Sequence, residues 1–391
     1  MRLSVLLSIL PLVAAAPATE KRAVPAPLIT PSNEHGLIAD KYIVKFKDGS
    51  SLQAVDEAVS SLVSNADHVY QNVFRGFAGT LDATTLEALR NHPDVDYIEQ
   101  DGIAKASAYV TQSGATWGLT RISHKAKGSS TYVYDSSAGT GTCAYIIDTG
   151  VSDGHPEFEG RAKQIKSFIS GQTADGNGHG THVAGTIGSK TYGVAKKTSI
   201  YGVKVLDNSG SGSYSAVIAG IDFVATDYKT KSCPKGAVAN MSLGGGFSAA
   251  VNTAAANLIK AGVFLAVAAG NSNVDAKDTS PASEPTVCTV GATTNADARA
   301  SFSNFGAVVD IWAPGQDITS TWLNNGLNTI SGTSMATPHI VGLGAYLAGL
   351  EGFTDPQALC KRIQTLASKS IISGIPSGTI NNLAFNGNPS G

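Results

Sequence analysis

Residues 144–150 read Ala144-Tyr145-Ile146-Ile147-Asp148-Thr149-Gly150. The run 144–147 is apolar on both faces, so a strand made of it is buried on both sides. Such strands belong to parallel sheets covered by helices. The pattern returns at 200–205, 237–241, 263–268, 287–290 and 308–311, and Val217, Ile221, Val224 and Tyr228 supply a helical stripe among these runs. The expected fold is therefore α/β and doubly wound, a mostly parallel sheet with helices on both faces. Asp148 stands at the C-terminal end of its strand, where open α/β sheets gather active-site groups. Alone it reads equally well as a helix or turn cap.

Three further stretches change that balance. Asp175-Gly176-Asn177-Gly178-His179-Gly180-Thr181-His182 is a glycine-rich turn feeding a small-residue helix, with His179 at its start. Glycines beside an imidazole let backbone and substrate approach it. Zinc ligation by His179 and His182 is poorly supported, because the H-E-x-x-H spacing and its glutamate are missing; His182 reads as a core residue. In Ser331-Gly332-Thr333-Ser334-Met335-Ala336-Thr337-Pro338-His339, Ser334 lies near a helix N-terminus. Developing negative charge is favoured there. The run 264–269 leads into Gly270-Asn271, whose amide can help the nucleophile's own N–H hold an oxyanion. Together these give Asp148, His179 and Ser334 in chain order with Asn271 beside them, the parts needed for acyl transfer by an activated serine.

On these motifs the chain resembles the subtilases, whose Asp, His, Ser order differs from that of chymotrypsin and the α/β-hydrolases. Within them it is similar to the proteinase K-like branch of fungal extracellular, cuticle-degrading serine proteases. The resemblance implies a secreted serine endopeptidase of broad specificity. Gly210-Ser211-Gly212 and Ser242-Leu243-Gly244 would be the two backbone edges that hold an extended substrate by strand addition. Gly244, Ala268 and Gly270 would wall a pocket for a large apolar or aromatic residue before the scissile bond. It implies one structural calcium, held by the backbone oxygens of Pro285 and Val287 and the carboxylate of Asp310, hard oxygen ligands of the kind calcium takes. No organic cofactor is expected. Val183 stands where proteinase K has a free cysteine beside the histidine, so thiol sensitivity should be low. Lys125 and Ile371 occupy the positions of a second, weaker calcium site and cannot supply its carboxylate.

Four cysteines, Cys143, Cys233, Cys288 and Cys360, suggest two disulfides in a secreted chain, and three pairings are open from their number alone. The family resemblance pairs Cys143 with Cys233 and Cys288 with Cys360. The N-terminus carries Arg2, an apolar run to Leu12 and small residues to Ala16, a secretory signal at 1–16. The apolar run is too short to span a bilayer, so no membrane association is expected. A Pro-rich stretch at 17–31 contains the dibasic Lys21-Arg22. From Lys41 a small unit follows: strands at 42–46 and 69–77, a helix at 53–62, a helix capped by Thr84, and a strand at 95–98. It suits a ferredoxin-like βαββαβ module, and the family resemblance makes 41–101 an inhibitory, folding-assisting part of a pro-segment at 17–106.

Residues 1–106 carry net charge −4 and residues 107–391 +2, which fits an acidic pro-segment removed from a mildly basic peptidase domain at 107–391. Cleavage is expected near Ala106 or Ser107. The whole chain's net charge of −2 gives no support for nucleic-acid binding. The expected mature protein is a monomer, its partners protein or peptide substrates and its own pro-segment. The tail 381–391 reads as a surface coil, and the sequon Asn240-Met241-Ser242 ends a buried strand, so no sugar is expected there. A lipase or esterase reading fails at Ala336, where G-x-S-x-G needs its second glycine. Gly176-Asn177-Gly178 lacks the third glycine of a dinucleotide fingerprint. The remaining alternative is a peptide-binding pseudo-protease.

Overall fold

The computed structural model describes residues 24–31, 37–51, 60, 66–103, 109–352 and 355–391. The expected signal, the dibasic pair, nearly all of the helix at 53–62 and the expected cleavage bond lie outside the described residues. The chain divides into two compact units, Met1–Lys105 and Ala106–Gly391.

In the first unit, β1 (Leu28–Ile29), β2 (Leu37–Phe46), β3 (His68–Tyr70), β4 (Gly76–Thr80) and β5 (Val95–Gly102) form one sheet in the order β1-β5-β2-β4-β3. Helix α1 (Ala83–Arg90) seals it by burying Leu89 against Val44, Phe46, Phe77, Val95 and Ile98. Two expectations need correction. The single strand at 69–77 is a pair, β3 and β4, because the chain bends over 71–75 and folds back so that Val69 faces Phe77 across an antiparallel pairing. The cap of α1 is Asp82, not Thr84: its carboxylate accepts the Thr85 N–H at 2.7 Å.

The second unit opens with β6 (Tyr109–Ser113), α2 (Trp117–Ser123) and β7 (Thr131–Asp135). Its core is β8 (Cys143–Asp148), β9 (Ala162–Ser167), α3 (His179–Gly188), β10 (Ser199–Lys204), α4 (Tyr214–Asp227), β11 (Ala237–Met241), β12 (Gly245–Gly246), α5 (Ala249–Lys260), β13 (Val263–Ala268), β14 (Thr279–Ser280), β15 (Cys288–Thr293) and β16 (Ile311–Pro314). A hairpin, β17 (Ile318–Thr321) and β18 (Leu327–Ile330), precedes α6 (Thr333–Glu351), α7 (Pro356–Leu366), β19 (Ser368–Lys369) and β20 (Asn382–Leu383). The main sheet runs β19-β20-β16-β15-β13-β11-β8-β10-β9, parallel except for β19 against β20.

Strand β8 shows why this sheet has two covered faces. Ala144 and Ile146 pack with Val183, Ile187, Ile340 and Leu343 of α3 and α6. Cys143, Tyr145 and Ile147 pack with Val217, Ile221, Leu258 and Ile259 of α4 and α5. Alternate side chains of a strand point to opposite faces, so a run apolar at every position feeds both layers. From β8 the chain passes to the edge strand β9, fills the place between with β10, then crosses to add β11, β13 and β15 on the other side. The reversal falls between β8 and β11. Crevices at the C-terminal ends of strands form at such a point.

Two more expectations fail here. The last apolar run begins as a turn, Val309 N–H bonding to the Gly306 carbonyl, and the strand starts only at Ile311. The tail is stitched into the body rather than lying on the surface as coil. Leu383, Ala384 and Phe385 are buried, and the amides of Asn386 and Asn388 donate to the carbonyls of Val133 and Ser123 at 2.7 and 2.9 Å.

Candidate active site

Asp148, at the end of β8, is fully buried, and its Oδ1 accepts both the Thr149 N–H at 2.7 Å and His179 Nδ1–H at 2.8 Å. That bond leaves Nε2 as the acceptor of the imidazole. Burial opposes protonation of His179, but the Asp148 carboxylate outweighs it, through its charge and its hydrogen bond, and with help from Asp175 raises the pKa above 6.5. His182, one turn on, is the opposite case. Burial pushes it down to about 4, and its Nε2–H donates to the Ile318 carbonyl at 2.9 Å, a core role.

The loop that delivers His179 is built around Asp175, to which sequence reading assigns no role. Its Oδ1 accepts Thr149 Oγ1–H and the N–H groups of Asn177 and Gly178. Its Oδ2 accepts the N–H and hydroxyl of Thr181. Thr149 in turn accepts the Gly180 N–H at 2.9 Å, which joins the residue after Asp148 to the residue after His179. A Cβ on Gly180 would lie 2.1 Å from the Gly150 carbonyl oxygen, so only glycine permits this approach. The sole signal for Asp175 was an acid in a glycine-rich turn, a pattern shared with ordinary Asx turns.

Ser334 is the second residue of α6. Its hydroxyl donates to the Ser242 carbonyl at 3.1 Å and makes no hydrogen bond to His179. Asn271 follows β13, and its Oδ1 accepts both the N–H and the hydroxyl of Thr333, at 2.8 and 2.9 Å. The acceptor side of the amide is thereby occupied and Nδ2 is turned outward. A Cβ built on Gly332 would stand 3.5 Å from Asn271 Nδ2 and 3.6 Å from the Ser334 nitrogen. The Asn271 amide and the Ser334 nitrogen thus both border the space in front of Gly332. Asn304 braces the loop beneath, accepting the N–H groups of Ser272 and Val274 and donating to the Ala269 carbonyl.

Two adjoining cavities border this centre. One, of about 600 Å³, is lined by His179, by Gly210, Ser211 and Gly212, and by Ser242, Leu243 and Gly244, with Leu206, Val217 and Val251 giving it an apolar floor. The other, of about 380 Å³, is lined by Leu243, Gly244, Ala268, Gly270, Asn271, Thr333 and Ser334. Every residue singled out for catalysis or substrate contact thus lines one of the two cavities or, like Asp148, lies directly behind them. Asn240, the sequon residue, is fully buried and donates to Ser242 Oγ at 2.8 Å.

Away from the cleft, Cys143 is bonded to Cys233 and Cys288 to Cys360. Asp310 lies beside the Cys288–Cys360 disulfide. It has no ion-pair partner among the described residues. Burial pushes its carboxyl up to about 6, against hydrogen bonds from the Thr289 N–H and the Gln364 amide. Its sulfur neighbours, Cys288 and Cys360, are spent in the disulfide. A largely buried carboxylate short of positive charge fits a hard cation better than it fits empty space.

Comparison with known proteins gives two family matches. A profile described as Subtilase family matches residues 139–374, and one described as Peptidase inhibitor I9 matches residues 41–107. The chain is 64% identical over 388 residues to a cuticle-degrading protease of Metarhizium anisopliae, covering 99% of this chain and all of that one. It is 57% identical over 389 residues to proteinase R of Parengyodontium album, covering 99% of each. Among solved structures, a cold-adapted subtilisin-like serine proteinase superposes with a TM-score of 0.65 at 48% identity, over 70% of this chain and 99% of that one.

Proposed function

The chain belongs to the subtilase family and is a serine endopeptidase; from that premise we propose that it is secreted, that it works through Asp148, His179, Ser334 and Asn271, and that it cuts broadly, favouring large apolar or aromatic residues before the scissile bond. The observation that supports this reading is that His179 is bonded to the buried Asp148 carboxylate and borders a cleft shared with Ser242 to Gly244, while Asn271 and Ser334 line the adjoining cavity.

In the proposed mechanism, His179 Nε2 takes the Ser334 hydroxyl proton as Oγ attacks the peptide carbonyl, and Asp148 stabilises the imidazolium. The carbonyl π pair moves onto oxygen, where Asn271 Nδ2 and the Ser334 N–H receive it. Collapse of the tetrahedral adduct breaks the C–N bond, and the imidazolium returns the proton to the leaving amine. A water repeats the sequence on the acyl-serine and frees the acid. Gly210 to Gly212 and Ser242 to Gly244 hold the substrate backbone by strand addition, which favours breadth over side-chain selection. The small residues Gly244, Ala268 and Gly270 leave room in the adjoining pocket for a bulky side chain.

In the same proposal residues 1–16 are a signal, 17–106 a pro-segment that inhibits intramolecularly until its removal, and 107–391 a monomeric peptidase. Pro285 and Val287 carbonyls with the Asp310 carboxylate would hold a calcium ion. Bound there, calcium would supply positive charge and a cross-link and would take no part in bond breaking.

Labelling with a serine-directed fluorophosphonate, followed by peptide mapping, tests the central assignment. Label on Ser334, lost together with casein hydrolysis in Ser334→Ala, is the expected result. A folded, calcium-loaded protein freed of its pro-segment that took up no label would point instead to a peptide-binding pseudo-protease.

A further inference from the structure

We propose that the side chain of Ser242 is a positioning residue for the nucleophile, apart from the main-chain contact with substrate assigned to it above; the proposal rests on reading Ser334 as the nucleophile. It starts from Pro338, which lies inside α6. In a regular helix the N–H of residue 338 would donate to the carbonyl of residue 334, and proline has none to give. The Ser334 carbonyl is therefore left open in a helix that is buried over nearly its whole length. Buried backbone acceptors are costly to leave unpaired.

The Ser242 hydroxyl fills the gap, donating to the Ser334 carbonyl at 2.8 Å. Its proton is committed to that bond, because Asn240 Nδ2 donates to the same Ser242 Oγ at 2.8 Å and takes up a lone pair. In return the Ser334 hydroxyl donates to the Ser242 carbonyl. One bond each way ties the nucleophilic residue to the end of β11. Asn240 sits in the middle of the sheet, opposite Ile146 of β8 and Ala266 of β13. These are the strands that lead to Asp148 and to the Asn271 loop. The clamp thus refers Ser334 to the same rigid frame that holds the other catalytic groups, and the missing helical N–H is what makes room for it. Loss of the hydroxyl frees the Ser334 backbone, and with it the attacking Oγ and the N–H that meets the oxyanion, while both backbone edges of the cleft remain. The loss therefore falls on kcat rather than KM.

The test is a double-mutant cycle of wild type, Ser242→Ala, Pro338→Ala and the double variant. Each is made as the full chain and matured in trans by immobilised wild-type enzyme, so that processing does not depend on the variant's own activity. The readouts are kcat and KM for a peptide nitroanilide, counted per fluorophosphonate-labelled site so that misfolded protein drops out. Ser242→Ala should lower kcat about tenfold, the upper range for one lost hydrogen bond, with KM moving less than about twofold. Alanine at 338 returns an N–H to the Ser334 carbonyl. In that background removal of the hydroxyl should cost no more than about twofold. Equal losses in the two backgrounds, an effect on KM alone, or an unchanged kcat per labelled site would each overturn the proposal. Failure of the reading beneath it looks different: wild type that hydrolyses peptide yet takes no label at Ser334.

Discussion

At the scale of the residue, the charges around His179 set the pH dependence. Its pKa is raised above 6.5, so the imidazolium persists to higher pH than in a free histidine and the base is lost as pH falls through that raised value. The acid limb of kcat/KM should therefore lie above pH 6.5, and a rate that stayed flat down to pH 4 would sink the assignment of His179. Asp175 is one of the groups holding that pKa up, so Asp175→Asn should move the limb to lower pH as well as loosen the loop; a limb that stayed in place would leave Asp175 a purely structural role. Asn271→Ala should lower kcat about 100- to 1,000-fold with KM little changed, the loss reported for subtilisin's own oxyanion amide. Thiol reagents should leave activity intact, because Val183 is buried beside His179 and there is no free cysteine among the described residues; inactivation by a mercurial at stoichiometric levels would contradict this. The positions of Asp148, His179, Ser334 and Asn271 were legible because each sits where a strand ends or a helix begins, a place that sequence pattern marks. Asp175, Thr149 and Thr333 were not, because their work is to hydrogen-bond backbone several residues away, and nothing in a Thr or an Asp announces a distant partner.

At the scale of the element, pattern succeeded where an element is buried on both sides and failed where burial comes from elsewhere in the chain. β8, β11 and β13 are apolar at nearly every position, and their bounds fall within about a residue of the apolar runs, well inside the usual uncertainty of element ends. The tail has the opposite character. Its asparagines and glycines look like solvated coil, yet Asn386 and Asn388 satisfy carbonyls at the end of α2 and in β7, more than 200 residues earlier in the chain. The Asn386 N–H adds a bond to the Ile122 carbonyl. Such long-range side-chain bonds leave no local periodicity. Asn388→Ala leaves the buried Ser123 carbonyl short of a partner and should cost about 1–3 kcal/mol, read as a lower midpoint in thermal or denaturant unfolding. A midpoint unchanged from wild type would mean that the tail is a passenger after all.

At the scale of the whole molecule, stability is shared between the sheet and two disulfide tethers. The sheet order was only partly readable, since apolar runs show that strands are buried without saying which lie side by side; the reversal between β8 and β11 is a product of chain crossing. The disulfides close stretches of 90 and 72 residues, for which chain entropy gives about 4–5 kcal/mol each. Cys288–Cys360 ties β15 to α7, close to Asp310. A calcium ion there would brace the same corner and add about 2.7 kcal/mol at a free concentration 100 times its Kd. Chelation should therefore lower the unfolding temperature of the mature enzyme without altering kcat at temperatures where it stays folded, because Asp310 has no contact with the catalytic groups. Asp310→Ala should start from the lower temperature and show no response to added calcium. If that variant gained as much from calcium as wild type, the ion would have to bind elsewhere, and the lack of an ion-pair partner for Asp310 would need another cause. The two disulfides separate the effects further: reduction of Cys288–Cys360 alone should weaken the response to calcium, whereas reduction of Cys143–Cys233, which joins the start of β8 to the loop before β11, should lower stability and leave that response unchanged.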